Sequence, residues 1–225
     1  MLTGLAGIGV AFLLTFFWPE TKKEAHAHGS FFDRSILQRS STVMLILLSL
    51  TMIFQVSAEF GFAMWYPVFL KTELGTSNSL AGLIAGIWGA GQFIGRPTMG
   101  FAADKFGYRL VGIVNGLIMG FCLILVIKVE NQVLRAFLTL FTGFVGCAVM
   151  GSLWTFTGLT FTRAKGLALG IMTTFGYAIS SLSPITIGYI GDHHRVSTGL
   201  LVICVPCVFL ACAMFTATNL VKKRG

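Results

Sequence analysis

Long apolar runs recur along this chain, at about 1–18, 42–66, 79–103, 109–128, 133–161, 166–190 and 196–220, and the separators between them hold nearly all the charge. Each is close to the roughly 20 residues that a helix needs to cross a bilayer. Backbone N–H and C=O groups have no water to bond in lipid, so a spanning segment is a helix or belongs to a closed barrel. The runs lack the apolar/polar alternation of barrel strands, which leaves an all-α, polytopic helix bundle. Composition excludes the soluble alternative: 11% of residues are charged, against about a quarter in a soluble domain.

The net charge of +8 raises the question of a nucleic-acid partner, and the placement of the charge answers it. Taking the separators alternately, Lys22, Lys23, Arg34, Arg39, Lys105, Arg109, Arg163, Lys165, Lys222, Lys223 and Arg224 fall on one side. Only Lys71, Lys128, Arg135 and Arg195 fall on the other. This asymmetry reads as the positive-inside pattern, with the C-terminus and the 104–109 turn cytoplasmic. Segment 1–18 is expected to span the membrane rather than act as a cleaved signal. It has no basic start, and Glu20, Lys22, Lys23 and Glu24 stand between its apolar core and the small residues Ala25-His26-Ala27.

The turn Gly95-Arg96-Pro97-Thr98-Met99-Gly100-Phe101-Ala102-Ala103-Asp104-Lys105-Phe106-Gly107-Tyr108-Arg109 ends one run and opens the next. It resembles the loop signature of the major facilitator superfamily of secondary transporters, Gly-x-x-x-Asp-Arg/Lys-x-Gly-x-Arg, read here on Gly100, Asp104, Lys105, Gly107 and Arg109. Lys105 stands where Arg is common, and Tyr108 where a second basic residue often sits. Family members carry the signature after the second helix and, more weakly, after the eighth. In this chain it follows the third run, and the polar stretch 19–41 resembles the cytoplasmic connection between two six-helix halves.

The resemblance therefore implies that 1–18 is the end of the sixth family helix and 19–41 the linker. Residues 42–220 are then the C-terminal six-helix bundle, and 221–225 a cytoplasmic tail. It also implies an N-terminal six-helix half as partner. The function implied is secondary active transport of a small polar solute by alternating access in a plasma or inner membrane. Gly100, Asp104, Lys105, Gly107 and Arg109, with Arg96 just before them, are expected to form a cytoplasmic latch of one access state. The alternative is an incomplete fragment or a membrane scaffold subunit without transport activity of its own.

Charged side chains deep in apolar runs point to function, because an unpaired charge there costs several kcal/mol. Glu59 and Arg96 are the two so placed. Thr51, Gln55, Glu59, Phe62 and Tyr66 recur at helical spacing and share one face, read as a cavity-facing stripe with Glu59 as a protonatable or substrate-contacting group. Proton coupling through Glu59 is a further expectation. Trp88, Gln92 and Arg96 share a face of the next helix. In 166–190, Tyr177 and Ser181 join the candidates because Pro184 removes a backbone hydrogen bond and kinks the helix. Trp154 adds an apolar wall.

Glycines at four-residue spacing, Gly82/Gly86, Gly91/Gly95, Gly112/Gly116/Gly120 and Gly166/Gly170, read as packing seams. The five cysteines all fall in apolar runs and read as small filler, including Cys204 and Cys207. His26, His28, His193 and His194 read as solvated loop residues, so no metal and no cofactor are expected. No metalloprotease helix, phosphate-binding glycine loop or paired catalytic carboxylates appear, so the chain is not read as an enzyme.

Overall fold

The computed structural model describes residues 39–224, and all of the described regular structure is helical. The expectations for 1–18 and most of the 19–41 linker lie outside the described residues. Helix α1 spans Arg39–Thr72, α2 Asn78–Phe106, α3 Tyr108–Lys128 and α4 Gln132–Thr160. A single 3-10 turn, Thr162–Ala164, leads into α5, Lys165–Ser180; α6 is Leu182–His193 and α7 is Val196–Arg224. The helices α1, α3, α4, α7 and the α5–α6 pair are each long and apolar enough to cross a membrane. Helix α2 has 29 residues, ample length at about 1.5 Å per residue, but its glycines, Gln92 and Arg96 dilute its hydropathy.

Helix α1 runs past Pro67, which the apolar run alone would have ended at Tyr66. A proline in a helix interior removes one N–H, here the donor to the carbonyl of Ala63, without ending a helix packed on both sides. Pro184 acts more strongly. Its ring opposes the carbonyl four residues back, that of Ser180, and the helix breaks there into α5 and α6 around Ser181. The kink expected at Pro184 is thus a break one turn earlier. Trp65 Nε1 donates to the Pro184 carbonyl at 2.7 Å and Ser183 Oγ to the Ser57 carbonyl at 2.7 Å, fastening α6 to α1.

Packing follows a chain of neighbours: α2 on α4, α4 on α3, α3 on α7, α7 on α1, and α1 on both α5 and α6. Lipid is as apolar as leucine, so close fit rather than water exclusion holds such a bundle together. At α2–α4 the fit is backbone to backbone. A Cβ added at Gly91 or Gly95 would meet the carbonyls of Leu140 or Phe144, and one at Gly143 the carbonyl of Trp88. Outward surfaces are correspondingly apolar, with Phe93 81% and Phe101 74% exposed on α2, an arrangement suited to lipid rather than water.

Two of the four glycine seams are as expected. Gly112, Gly116 and Gly120 receive Phe215, Cys212 and Phe209 of α7. Gly82, Gly86, Gly166 and Gly170 meet nothing within 4 Å among the described residues, because no described helix covers those faces. The five cysteines are free thiols.

The ends of the bundle are tied by polar contacts. Asn131 Oδ1 caps α4 by accepting from Val133 N at 2.9 Å and Leu134 N at 3.2 Å. The Glu73 carboxylate accepts from Ser197 N at 2.9 Å and Ser197 Oγ at 2.6 Å, joining the end of α1 to the start of α7. Arg135, counted from sequence among the loop charges, is 2% exposed. It donates to the Val126 and Val129 carbonyls and closes the end of α3. It is a charged side chain buried inside the bundle, whereas Glu59 is half-buried and Arg96 exposed.

Candidate functional site

A cavity of about 520 Å³ opens between α1, α2, α4 and α5, with Tyr108 of α3 at one end. Helix α2 supplies its spine. Trp88, Gln92, Arg96 and Gly100 stand four residues apart and so on one face, and Ala103 continues the line. From Trp88 to Ala103 that face extends about 22 Å at the helical rise. Opposite it, Glu59, Phe60 and Ala63 of α1 form one wall, and Trp154 of α4 and Tyr177 of α5 an aromatic one. The rings of Phe60 and Tyr177 lie 5.7 Å apart, closing the corner between α1 and α5.

Of the expected pathway residues, Glu59, Trp88, Gln92, Trp154 and Tyr177 come together here. Gln55, Tyr66 and Ser181 do not line the cavity. The α1 stripe is therefore corrected: Thr51, Gln55, Phe62 and Tyr66 are all buried in the bundle interior. Tyr66 stacks on Phe62 with centroids 4.4 Å apart, and its hydroxyl is 2.7 Å from Thr139 Oγ1. Thr139 donates to the Arg135 carbonyl, which leaves Tyr66 as donor to Thr139. Only Glu59, at the edge of the stripe, reaches the cavity; Gln55 lies against Met119 of α3 and Tyr66 against Thr139 of α4. Ser181 is exposed at the α5–α6 break and bonds back to the Ala178 carbonyl at 2.7 Å.

Gln55 nonetheless touches the site through Glu59, donating from Nε2 to Glu59 Oε1 at 2.9 Å. Arg96 lines the cavity with Glu59, so one acid and one base from adjacent helices share a single space. Two further polar groups border it without a hydrogen-bond partner: Trp88 Nε1 and Ser152 Oγ, both buried. Sequence reasoning missed Ser152 along with Cys147, Gly151 and Thr155 of α4. The last three stand four residues apart, so a small, polar face could have been read there.

The signature turn is formed as its residues suggest in one respect. Gly107 has φ +92°, a conformation that side chains rarely adopt, and it is the single residue between the end of α2 and the start of α3. Gly100 lines the cavity and, among the described residues, meets nothing within 4 Å where a Cβ would be. Asp104 accepts a hydrogen bond from Tyr108 Oη across the turn. Lys105 Nζ sits 5.5 Å from the Phe106 ring.

Arg109 packs back onto the bundle. It folds against the Phe156 and Phe215 rings, at 5.3 and 5.9 Å, and donates to the Phe215 and Thr216 carbonyls and Thr218 Oγ1 of α7 at 3.0, 3.2 and 2.5 Å. The turn thus joins α2, α3 and α7 at one end of the bundle.

Residues 46–224 match the family model described as Major Facilitator Superfamily. The chain is also 24% identical, over 228 aligned residues and 96% of its own length, to the cis,cis-muconate transport protein of Acinetobacter baylyi. It spans 54% of the length of that relative. An apolar helix bundle, the Gly100–Arg109 turn and a family match over residues 46–224 converge: the chain belongs to the major facilitator superfamily.

Proposed function

We infer that this chain provides one six-helix half of a secondary transporter that moves a small polar solute across a plasma or inner membrane by alternating access. The observation that carries the reading is the cavity shared by Glu59 and Arg96, deep in adjacent helices and walled by Trp88, Trp154 and Tyr177. An acid and a base at that depth are expensive unless they serve a solute or a proton, and planar rings suit an unsaturated or otherwise flat solute body. The named substrate of the Acinetobacter relative, an organic acid, fits a cavity with a guanidinium at one side. In this reading Arg96 with Gln92 and Trp88 holds the anionic solute, and Glu59 carries the coupled proton.

The chain spans 54% of the length of the cis,cis-muconate transport protein, in keeping with residues 42–220 forming one six-helix bundle of a two-bundle transporter. The turn 104–109 and the C-terminus face the cytoplasm, Gly100 to Arg109 latch one access state, and solute transport rather than enzymatic chemistry is the role. Labelling single cysteines from either side of the membrane checks the orientation, with positions 105 and 225 reacting from inside and 78 and 193 from outside.

The deciding experiment uses the intact transporter in proteoliposomes with labelled cis,cis-muconate as probe. Glu59→Gln should lose uptake driven by a pH gradient while keeping part of the solute exchange, whereas Arg96→Ala should lose both. Unchanged gradient-driven uptake in Glu59→Gln would remove that carboxylate from the mechanism, and absence of muconate exchange in the unaltered protein would remove this solute.

A further inference from the structure

Gln55 is fully buried between α1 and α3, one helical turn before Glu59, and its two amide ends are in unequal circumstances. Nε2 donates to Glu59 Oε1 at 2.9 Å and lies 3.6 Å from Met119 Sδ. Oε1 is buried with no hydrogen-bond partner among the described residues. A buried carbonyl oxygen left unpaired is ordinarily destabilising, and a well-packed helix would remove it by placing an apolar residue there. The orphan acceptor is adjacent to the one acid in the cavity, and that pairing gives it a use.

A carboxylate only accepts hydrogen bonds, whereas a protonated carboxyl also donates one. An amide carries a donor and an acceptor on the same short arm. Facing an ionised Glu59 it presents Nε2, the end that lies on Glu59 Oε1 here. Turned by half a rotation about its last bond it presents Oε1 to the hydroxyl of a protonated Glu59. In each orientation one amide end serves Glu59 and the other is unpaired, so the unpaired end contributes similarly to both and largely cancels from their difference. Met119 beside it is a weak acceptor, so the reversal gives up only the weak contact from Nε2 to Sδ.

We propose that Gln55 is a positioning residue for Glu59 whose amide reverses with the protonation of that carboxyl, holding the side chain in one geometry in both states. The proposal rests on the reading of Glu59 as the proton carrier. The proton enters Glu59 from the cavity and leaves to it, and Gln55 neither gains nor loses one. The other charged or titratable groups lining that cavity are Arg96 from α2, Tyr108 from α3, Cys147 from α4 and Tyr177 from α5. Of these Tyr108 is bonded to Asp104, and the Cys147 thiol donates to the Phe144 carbonyl. None of them is bonded to Gln55.

Infrared difference spectra of the lipid-reconstituted transporter, with isotope-labelled glutamine side-chain carbonyls, test this without altering the fold. Gln55→Met identifies the Gln55 carbonyl band by its loss, and Glu59→Gln does the same for the Glu59 carboxyl band. On acidification the Gln55 band should move to lower wavenumber, as a carbonyl that has gained a donor does, in step with the appearance of the Glu59 band. The movement should be lost in Glu59→Gln. A Gln55 band that stays constant while the Glu59 band appears overturns the reversal and leaves the proton-carrier reading intact. Absence of any Glu59 carboxyl band at acid pH overturns both.

Discussion

The seam between α2 and α4 and the seam between α3 and α7 are alike in sequence, each built on glycines four residues apart, and they differ in what the glycines touch. Gly91, Gly95 and Gly143 lie against backbone carbonyls of the facing helix. Gly112, Gly116 and Gly120 lie against the ends of Phe215, Cys212 and Phe209 side chains. A backbone atom cannot step aside without moving its helix, whereas a ring or a thiol can turn. The first seam therefore fixes the position of α2, and with it the cavity face carrying Trp88, Gln92 and Arg96. The second holds α3 and α7 together more tolerantly, and Arg109 supplements it with bonds to α7.

The largest effect expected from this difference is at Gly143. In Gly143→Ala the new methyl would meet the Trp88 carbonyl, and overpacking against backbone should cost about 3 kcal/mol or more. The measurement is the fraction of monodisperse protein after detergent extraction, with thermal unfolding of what remains. Yield and melting temperature equal to those of the unaltered chain would show that α2 and α4 separate easily, and the contrast between the seams would disappear.

Asp104→Asn probes the junction of the two regions, where α2 ends and α3 begins. The amide still offers Tyr108 an acceptor, so folding should be preserved, but the negative charge that the latch reading requires is gone. The ratio of inward-open to outward-open protein should change about tenfold, within the usual range of coupling between states. Paired accessibility of cysteines on the two faces reads that ratio directly. An unaltered ratio at equal abundance would assign the turn to orientation alone.

Much of this architecture was legible from the apolar runs. The helices begin and end within a few residues of them because charge and polar caps at the separators coincide with the limits of lipid depth. Facing was harder to read. Helical spacing correctly put Gln55, Glu59 and Tyr66 on one side of α1, but which neighbour covers a side depends on the packing of distant helices. Here that packing buried Gln55 and Tyr66 and left Glu59 at the edge. Arg135 was misread for a related reason: a basic residue beside a loop looks solvated until the carbonyls it closes are in view. The glycines show the same limit, since spacing marks a small face and says nothing about whether another helix meets it.

That limit sets up the smallest and most discriminating comparison, Gly120→Ala against Gly86→Ala. At Gly120 the added methyl would stand about 3.0 Å from the Phe209 ring edge, tight but relieved by a small ring rotation. Alanine also favours the helix over glycine by up to about 1 kcal/mol, so the two contributions nearly offset. At Gly86 nothing lies within 4 Å among the described residues, and only the helix preference remains. Thermal unfolding should therefore rank Gly86→Ala at or slightly above the unaltered chain, and Gly120→Ala level with it or slightly below. A marked loss in Gly86→Ala would mean that its face is covered in the assembled transporter, as a six-helix partner half would cover it. The same variant measured with and without that partner would then separate a free glycine face from an interface, a distinction that the four-residue spacing cannot make.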